Sequence, residues 1–199
     1  AHRDLHPFPT RRSSDLEKAA QFIKLCNQID VPLLFLHNIT GYLVGTDFEQ
    51  GGITKNGSKM INAVSNSTVP HITIIIGASY GAGNFGMSGR AFGTRFNFIW
   101  PTAKIAVMGP KQMAGVMTIV GKAAAERRGK KFDEEADAKR AAVAEHWAEE
   151  RSKGLFATSR VSDDGMIDPR DTRTVVALAL SACHTNDVKG TKEYGTWRM

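Results

Sequence analysis

The residues best suited to chemistry lie between His71 and Gly93, where a β-branched apolar run leads into a glycine-rich turn. The run at residues 72–76 predicts a fully buried strand. Several glycines follow, and glycine lets a backbone approach a neighbour closely. They are Gly77, Gly81, Gly83 and Gly86. The first N–H groups of the next predicted helix, near residues 83–91, have no partner within that helix and lie at the positive end of its dipole. Such groups bind anions or stabilise a developing oxyanion, so we predict the chemical centre here.

The same turn has a second interpretation as a dinucleotide site. Residues 81–86 match the pattern G-x-G-x-x-G after a strand. A nucleotide-binding unit of that kind also needs an acid about twenty residues further on, to hold the ribose. The next acid is Glu126, but Arg95 or Lys104 could bind a 2′-phosphate. An NADP-binding module therefore stays open as an alternative.

Side chains suited to acid–base catalysis are few. His37 follows a predicted strand, where a histidine is more typically packed and hydrogen-bonded than catalytic. Ser79 has no G-x-S-x-G pattern around it, and we find no paired carboxylates, metal-ligand spacing or phosphate-binding loop. The chemistry is thus expected to depend on backbone donors or on groups that the substrates carry.

Charge along the chain points to an anionic ligand. Residues 50–125 contain no Asp or Glu, yet they include bases such as Lys55, Arg90 and Lys104. A field of one sign around the turn would attract an anion, although a buried core also has few acids. Nucleic acid is a poor fit because aromatics do not alternate with these bases. No apolar run reaches the roughly 18–20 residues that span a membrane, and Cys26 and Cys183 have no metal-ligand spacing.

Hydrophobic periodicity predicts alternating helices and strands from Glu17 onward, which indicates an α/β fold. Expected helices cover residues 17–28, 54–66, 83–91, 113–120 and 175–182, and expected strands cover 33–36, 71–76, 96–100 and 104–108. Asp168 before Pro169 predicts a cap for the last helix, and the Asp163–Asp164–Gly165 sequence predicts a turn. We expect these acids to be structural.

Two segments differ from this pattern. Residues 1–15, with two prolines and adjacent arginines, resemble a translated cloning adaptor, so we expect a non-native leader there and the domain over residues 16–199. Residues 122–153 mix bases and acids with sparse apolar residues, which predicts a charged helical excursion packed along one stripe. The apolar residues of that stripe are Phe132, Val143 and Trp147.

The sequence from residue 33 to 109 resembles the carboxyltransferase (β) subunit of biotin-dependent acyl-CoA carboxylases, in its C-terminal half. The residues that carry the resemblance begin LLFLHNITGYLVGTDFEQGG and continue through HITIIIGASYGAGNFGMSGRAFGTRFNFIWPTAKIAVMG, SDDGMIDPRDTR and the terminal YGTWRM. It covers nearly everything after Leu16. Within that family the chain looks most similar to methylcrotonyl-CoA and geranyl-CoA carboxylases.

The resemblance implies a crotonase-like α/β fold of repeated ββα units and a site made of paired backbone N–H groups. Biotin, attached to a separate subunit, brings the carboxyl group, and the ureido group left behind can take the acyl-CoA proton. By motif, the N–H groups of Ala82 and Gly83 are the oxyanion donors. The segment Thr40–Gly41–Tyr42 would line the biotin slot. Tyr80, Gly81 and Asn84 are further predicted substrate-binding residues.

The resemblance also implies partners: an α subunit with biotin carboxylase and biotin carrier functions, an acyl-CoA, and further β subunits in a homo-oligomer, without nucleic acid or membrane. The expected location is the cytoplasm of a bacterium or the mitochondrial matrix of a eukaryote. The family pairs this half with an N-terminal half that holds most of the CoA site, so we expect the chain alone to be a fragment without activity.

Two departures from the family pattern bear on the acyl group. His37 stands where relatives usually have glutamine, and Gly109–Pro110–Lys111 replaces a more usual Gly-Gly-Glu. We expect 3-methylcrotonyl-CoA, with geranyl-, propionyl- and acetyl-CoA as alternatives. A biotin-dependent decarboxylase of the same fold, coupled to a membrane pump, is a further alternative.

Overall fold

The computed structural model describes residues 13–194. Most of the predicted leader and the last five residues of the YGTWRM motif therefore lie outside the described residues. Helix α1 begins at Ser13, inside the segment assigned above to the leader, and the boundary of that leader stays a prediction. The elements in chain order are α1 (Ser13–Gln28), β1 (Leu33–Ile39), α2 (Thr46–Gln50), α3 (Ile53–Asn66), β2 (His71–Tyr80), α4 (Gly81–Gly86), a 3₁₀ turn (Arg90–Phe92), β3 (Phe96–Ile99), β4 (Lys104–Ala106), α5 (Pro110–Arg127), α6 (Glu134–Ser152), α7 (Gly154–Ser159), β5 (Gly165–Met166), a second 3₁₀ turn (Pro169–Asp171) and α8 (Thr172–Cys183).

The five strands form one parallel sheet with the order β1-β2-β3-β5, and β4 also pairs with β2. Strand β2 organises the sheet because its first half pairs with β3 and its second half with β4. On its other side β2 pairs with β1, from Leu33 opposite His71 to Ile39 opposite Ser79. Since all pairs are parallel, the carboxyl ends of β1, β2 and β4 meet at one edge. The α/β alternation predicted from periodicity is confirmed.

Helices α1 and α3 cover one face of β1 and supply the largest core cluster. Leu16, Ala20 and Ile23 of α1 are buried at the spacing of one helix face. Residues of β1 are buried alternately, with Leu33, Phe35, His37 and Ile39 inward.

The strand predicted at residues 33–36 is buried on one face only. Leu34 is 46% and Leu36 is 47% exposed, because no element of residues 13–194 covers the second face of this strand. Strand β2 is buried over residues 71–75, and Ile76, predicted to be buried as well, is half-buried. Ile72 packs near α8 and Ile75 near α7.

Several element bounds also differ from those predicted. Strand β2 continues to Tyr80 because β4 pairs with residues 78–80, and α4 consequently begins at Gly81 and ends at Gly86. The predicted loop before Gly52 contains α2, while α7 and β5 have no counterpart in the prediction. The stripe predicted for the charged excursion is also wrong in part. Val143 is 58% and Trp147 is 56% exposed, and only Phe132 packs, against Gly121.

The acids near the C-terminus are structural, but the cap predicted for the last helix is wrong in its target, since α8 begins at Thr172 after Asp171, which makes no side-chain cap hydrogen bond. The Asp168 carboxylate accepts a hydrogen bond from the N–H of Arg170 and so caps the 3₁₀ turn that begins at Pro169. The Asp164 carboxylate accepts from the N–H of Asn97, and Asp163 accepts from the Thr158 hydroxyl.

Candidate functional site

The glycine-rich turn follows β2 directly, and Gly81 has a conformation that only glycine adopts easily. Its φ is +53°, and a Cβ at this position would lie 2.9 Å from the carbonyl oxygen of Val107. Any side chain here would therefore be strained by the backbone and would also push against the segment after β4. Glycine at position 81 thus brings the start of α4 against the end of β4.

Gly83 and Gly86 allow close approach, but to the protein's own chain. A Cβ on Gly83 would lie 3.0 Å from the side chain of Ile39, and one on Gly86 would overlap the Tyr42 hydroxyl. Helix α4 therefore packs tightly onto β1 and the loop after it. This closeness fixes where the first N–H groups of α4 are, rather than making space for a ligand at each glycine.

The N–H groups of Ala82 and Gly83 stand at the start of α4, where an α-helix has no intrahelical acceptor for its first donors. Among the hydrogen bonds that connect different elements of residues 13–194, none uses either of these N–H groups. Ala82 is exposed and Gly83 is buried. The arrangement offers two backbone donors at the carboxyl edge of the sheet.

The segment Thr40–Gly41–Tyr42 lies next to this turn because Ile39, just before it, pairs with Ser79 at the end of β2. The Tyr42 ring is half-buried and packs between α3 and α4, 3.0 Å from the Cβ position of Gly57. Gly41 has a φ of +135° and open space around its Cβ position. The structure thus brings the two predicted parts of the site side by side.

A cavity of about 360 Å³ opens beside the turn. Of the residues predicted from sequence, Gly81 and Asn84 line it. Thr40, Gly41, Tyr42, Tyr80, Ala82 and Gly83 lie on or beside the turn but not in the cavity wall. The rest of the wall comes from the segment after β4 and from α6 and α7, namely Ile105, Ala106, Val107, Arg151, Phe156, Ala157, Arg160 and Ser162, together with Phe85 of the turn.

Arg151 and Arg160 are functional candidates that the sequence interpretation missed. Each guanidinium stacks on an aromatic ring four residues earlier on the chain, with Arg151 5.2 Å from the centre of the Trp147 ring and Arg160 5.2 Å from that of Phe156. The spacing i, i+4 of an aromatic residue and an arginine was a signal for such a stack. Nothing in the sequence indicated that these two arginines lie beside the glycine-rich turn, which comes some seventy residues earlier in the chain.

Tyr80, the residue before the turn, is buried rather than presented to the cavity. Burial raises the pKa of its phenol, and Lys104 opposes that rise. The phenol therefore stays protonated at neutral pH. Lys104 itself forms an ion pair with Glu149 of α6.

The one-signed field expected around the turn is reduced by acids from other segments. Besides the Lys104 pair, Lys59 contacts Glu17 at 3.2 Å and Arg90 contacts Asp164 at 2.5 Å. The stretch without acids is thus partly neutralised in three dimensions. The remaining positive charge at the cavity belongs to Arg151 and Arg160, for which no ion pair occurs within residues 13–194.

Two histidines near the sheet are buried and do not line the cavity. The His37 ring is fully buried between Ser79 and Met87. His71 lies between Ser67 and Ser88, and burial lowers its pKa to about 4. Neither histidine is placed to act on a ligand in the cavity, in line with the structural role predicted for His37.

Within the described part of the chain, no group of His, Cys, Asp and Glu side chains could hold a metal ion. No helix among residues 13–194 is long and apolar enough to cross a membrane. Gly109, Pro110 and Lys111 form the start of α5 and do not line the cavity.

Comparison with known proteins identifies the family. The sequence profile of the carboxyl transferase domain matches residues 12–195. A probable biotin-dependent acyl-coenzyme A carboxylase beta2 subunit from Mycobacterium tuberculosis is 57% identical over 187 residues, covering 94% of this chain and 35% of that protein. A probable mitochondrial methylcrotonoyl-CoA carboxylase beta chain from Drosophila melanogaster is 47% identical over 182 residues, covering 92% of this chain and 31% of that protein.

A solved structure, the beta subunit of P. aeruginosa geranyl-CoA carboxylase, superposes with a TM-score of 0.81 at 41% identity, covering 92% of this chain and 35% of that one. The chain spans about a third of the length of the relatives that it matches. The α/β crotonase-like fold expected from the sequence is confirmed, and the glycine pattern of the turn is part of a carboxyltransferase domain rather than evidence for a nucleotide fold. The chain belongs to the carboxyl transferase domain family, alongside the beta subunits of biotin-dependent acyl-CoA carboxylases.

Proposed function

We propose that the chain provides the biotin side of a carboxyltransferase site, which moves a carboxyl group from carboxybiotin to an acyl-CoA. The observation that carries this proposal is the pair of N–H groups of Ala82 and Gly83 at the carboxyl edge of the sheet, beside a cavity. Preorganised backbone donors of this kind stabilise negative charge that develops on an oxygen during group transfer. Membership of the family supports the assignment.

The residues present suit a biotin group. The bicyclic ring of biotin is mostly apolar with one polar ureido edge. The cavity wall likewise combines mostly apolar side chains with a few polar ones, namely Asn84, Ser162, Arg151 and Arg160. A volume of about 360 Å³ lies in the range of small-ligand sites. In this proposal Thr40, Gly41 and Tyr42 line the approach to the donors, and the open space at Gly41 leaves room there.

In this proposal the residues of the turn and of the cavity wall have separate roles. The biotin group supplies the carboxyl group and, once that has left, a basic nitrogen. The N–H groups of Ala82 and Gly83 hold the ureido oxygen as charge develops on it. Asn84 and the turn orient the ring, and the apolar wall excludes water. No side chain of the turn has to act as a base, which fits the buried positions of His37 and His71.

The names of the relatives support an acyl-CoA as the acceptor, with 3-methylcrotonyl-CoA first and geranyl-, propionyl- and acetyl-CoA as alternatives. We further propose a biotin-bearing α subunit and further β subunits as partners. The setting would be the bacterial cytoplasm or, as in the relative named as mitochondrial, the mitochondrial matrix.

A backbone-amide NMR titration of the 199-residue chain with biotin methyl ester tests the proposal, with NADPH titrated in parallel. We expect biotin methyl ester to shift the amides of Ala82, Gly83 and Tyr42. Shifts at residues 81–86 with NADPH and none with biotin would instead support the nucleotide-binding alternative. A decarboxylase of the same fold would give the same shifts with biotin methyl ester, so the titration separates biotin-dependent carboxyl transfer in either direction from nucleotide binding.

The matched variant is Ala82→Pro, which removes one donor at a helix position that accepts proline. The removed N–H would also donate to the ureido oxygen of uncharged biotin, and one such hydrogen bond contributes about 0.5–1.5 kcal/mol, so we expect weaker binding of biotin methyl ester. Arg173→Pro is the control, since it changes the second residue of α8 and leaves the turn untouched. Equal binding by both variants would contradict the assignment of the Ala82 donor.

A further inference from the structure

His37 lies beneath the glycine-rich turn without reaching the cavity. It is on β1, points to the inward face of that strand and has no solvent-exposed surface. A buried imidazole needs hydrogen-bond partners for its ring nitrogens, and both partners of His37 belong to the turn region. Nδ1 lies 2.8 Å from the Ser79 hydroxyl oxygen, and Nε2 lies 2.6 Å from the carbonyl oxygen of Met87.

The partners determine which nitrogen carries the proton. A carbonyl oxygen only accepts, so the Nε2–H donates to Met87. In a neutral imidazole Nδ1 then accepts, and the Ser79 hydroxyl is its donor. The Ser79 oxygen in turn accepts from the side-chain amide of Asn84 at 2.9 Å. The hydrogen bonds thus run in one direction, from amide to hydroxyl to imidazole to carbonyl.

This relay (Asn84, Ser79, His37 and the carbonyl of Met87) is attached to both ends of α4. Ser79 precedes the helix, Asn84 lies within it, and Met87 follows its last residue. The Asn84 side chain is also confined on its other side, since a Cβ on Gly89 would overlap its Oδ1. The relay therefore holds the helix whose start carries the proposed Ala82 and Gly83 donors.

We infer that His37 is a positioning residue, which fixes the donor turn through Ser79 and Met87 and orients Asn84 in the cavity wall. The inference rests on the proposed function for its consequence in catalysis, but its structural part concerns the free chain. It also reassigns His37: a residue with no surface in the cavity does not select the acyl group by contact.

The first test measures the His37 tautomer in the unmodified 199-residue chain by long-range ¹H–¹⁵N correlation of the imidazole. We expect the Nε2–H form. The Nδ1–H form would overturn the inference, because it would leave Nε2 without a proton to donate to Met87.

The second test breaks the relay at its centre with Ser79→Ala. We expect the Asn84 side-chain amide and the backbone amides of Ala82 and Gly83 to shift, while His37 keeps the Nε2–H form. Ser67→Ala is the matched control, because it removes a hydroxyl bonded to the other buried histidine, His71. The control is expected to shift His71 and to leave Ala82 and Gly83 in place. Equal spectra at Ala82 and Gly83 for both variants and the wild type would overturn the inference.

The third test uses His37→Leu and the conservative His37→Gln. Glutamine keeps one donor and one acceptor, so His37→Gln is expected to restore the Ala82 and Gly83 shifts that His37→Leu changes. For biotin methyl ester we expect His37→Leu to lower affinity about tenfold and His37→Gln to recover most of it. If His37→Leu does not fold, the Ser79→Ala spectrum and the tautomer of His37 still test the inference.

Failure of the proposed function gives a different result. The wild-type chain would then show no response to biotin methyl ester, while the Ser79→Ala spectrum would still differ at Ala82 and Gly83. Failure of the relay would show the reverse pattern: biotin binding by the wild type, with Ser79→Ala indistinguishable from it at these amides.

Discussion

Two regions of this molecule contain similar apolar side chains but use them differently. In the layered region, formed by α1, α3, β1 and β2, residues such as Leu16, Ile23 and Met60 are almost completely buried. In the helical pair, formed by α5 and α6, Ala114 is the one apolar residue that the described structure buries, and Ile119 is 68% exposed. The layered region therefore fixes the glycine-rich turn, whereas the helical pair adds Arg151 to the cavity with little core of its own. Apolar content alone does not show which region positions a site.

A matched pair of isoleucines gives the largest expected difference between the regions. Ile23→Ala empties space in the layered core and should lower the free energy of unfolding by about 2–5 kcal/mol. Ile119→Ala removes an exposed side chain from α5 and should change it by less than about 0.5 kcal/mol. Urea unfolding followed by circular dichroism measures both. Similar losses in the two variants would mean that α5 belongs to a core after all.

The pH dependence of stability should come in part from His71, in the layered region. Burial lowers its pKa to about 4, whereas an unfolded histidine takes up its proton near pH 6.5. Between these values the unfolded state binds more protons, so the free energy of unfolding falls as the pH falls through this window. At pH values below the folded pKa, the total loss in the free energy of unfolding should approach roughly 3 kcal/mol.

Urea midpoints measured between about pH 7 and pH 5 test this linkage. The variant His71→Asn should flatten the curve. Ile23→Ala is the control, since it removes a buried side chain of the same layered region on another element and should reduce stability without changing the slope. An unchanged slope in His71→Asn would assign the pH dependence to other groups.

Two glycines sharpen the comparison further. Gly81→Ala places a Cβ against the Val107 carbonyl oxygen at positive φ and should cost about 1–3 kcal/mol. Gly115→Ala, in the middle of α5 with open space around it, should stabilise the chain by about 0.5–1 kcal/mol. Thermal unfolding of both variants gives the signs. If Gly81→Ala left the stability of the chain unchanged, the turn would be able to relax away from β4.

The smallest effect is expected for the ion pair that links the helical pair to strand β4 of the sheet. Lys104 of β4 and Glu149 of α6 are both partly exposed, and their hydrogen bond raises the pKa of the lysine. A double-mutant cycle with Lys104→Met and Glu149→Gln should give about 0.2–1 kcal/mol, decreasing with added salt. The reference is the Lys139–Glu135 pair, which lies within α6 and connects no second element. A larger coupling energy that did not change with salt would mean that the Lys104–Glu149 pair is more shielded from solvent than its exposure indicates.

Much of the fold could be predicted because periodicity and turn chemistry are local signals. The run at residues 72–76 and a capping role for Asp168 are both visible in short windows of sequence. The structure has both with a change, since Ile76 is only half-buried and Asp168 caps the 3₁₀ turn before α8 rather than α8 itself. The extension of β2 to Tyr80 was not visible, since it depends on pairing with β4 far along the chain. The exposed faces of β1 and α6 were not visible either, because a sequence window does not show which neighbours a strand or helix lacks.

The candidate site divides in the same way. The glycine-rich turn was predictable from glycine placement, since its backbone conformation is set by residues close together in sequence; its role as a donor site remains a proposal. The second wall of the cavity, with Arg151 and Arg160, depends on how α6 and α7 return to β4, and that is a tertiary effect. The same holds for the relay through His37, whose partners are 42 and 50 residues away.

The pairing order of the sheet has a consequence for the time at which its parts become available during synthesis. Strands β1 to β4 lie within residues 33–106, whereas the partner of β3 begins at Gly165 and the helix that packs on Ile72 begins at Thr172. A ribosome therefore exposes most of the sheet well before the residues that cover it. Until Ala179 and Cys183 emerge, the nascent chain presents Ile72 uncovered, and chaperone binding during that interval would protect it from self-association.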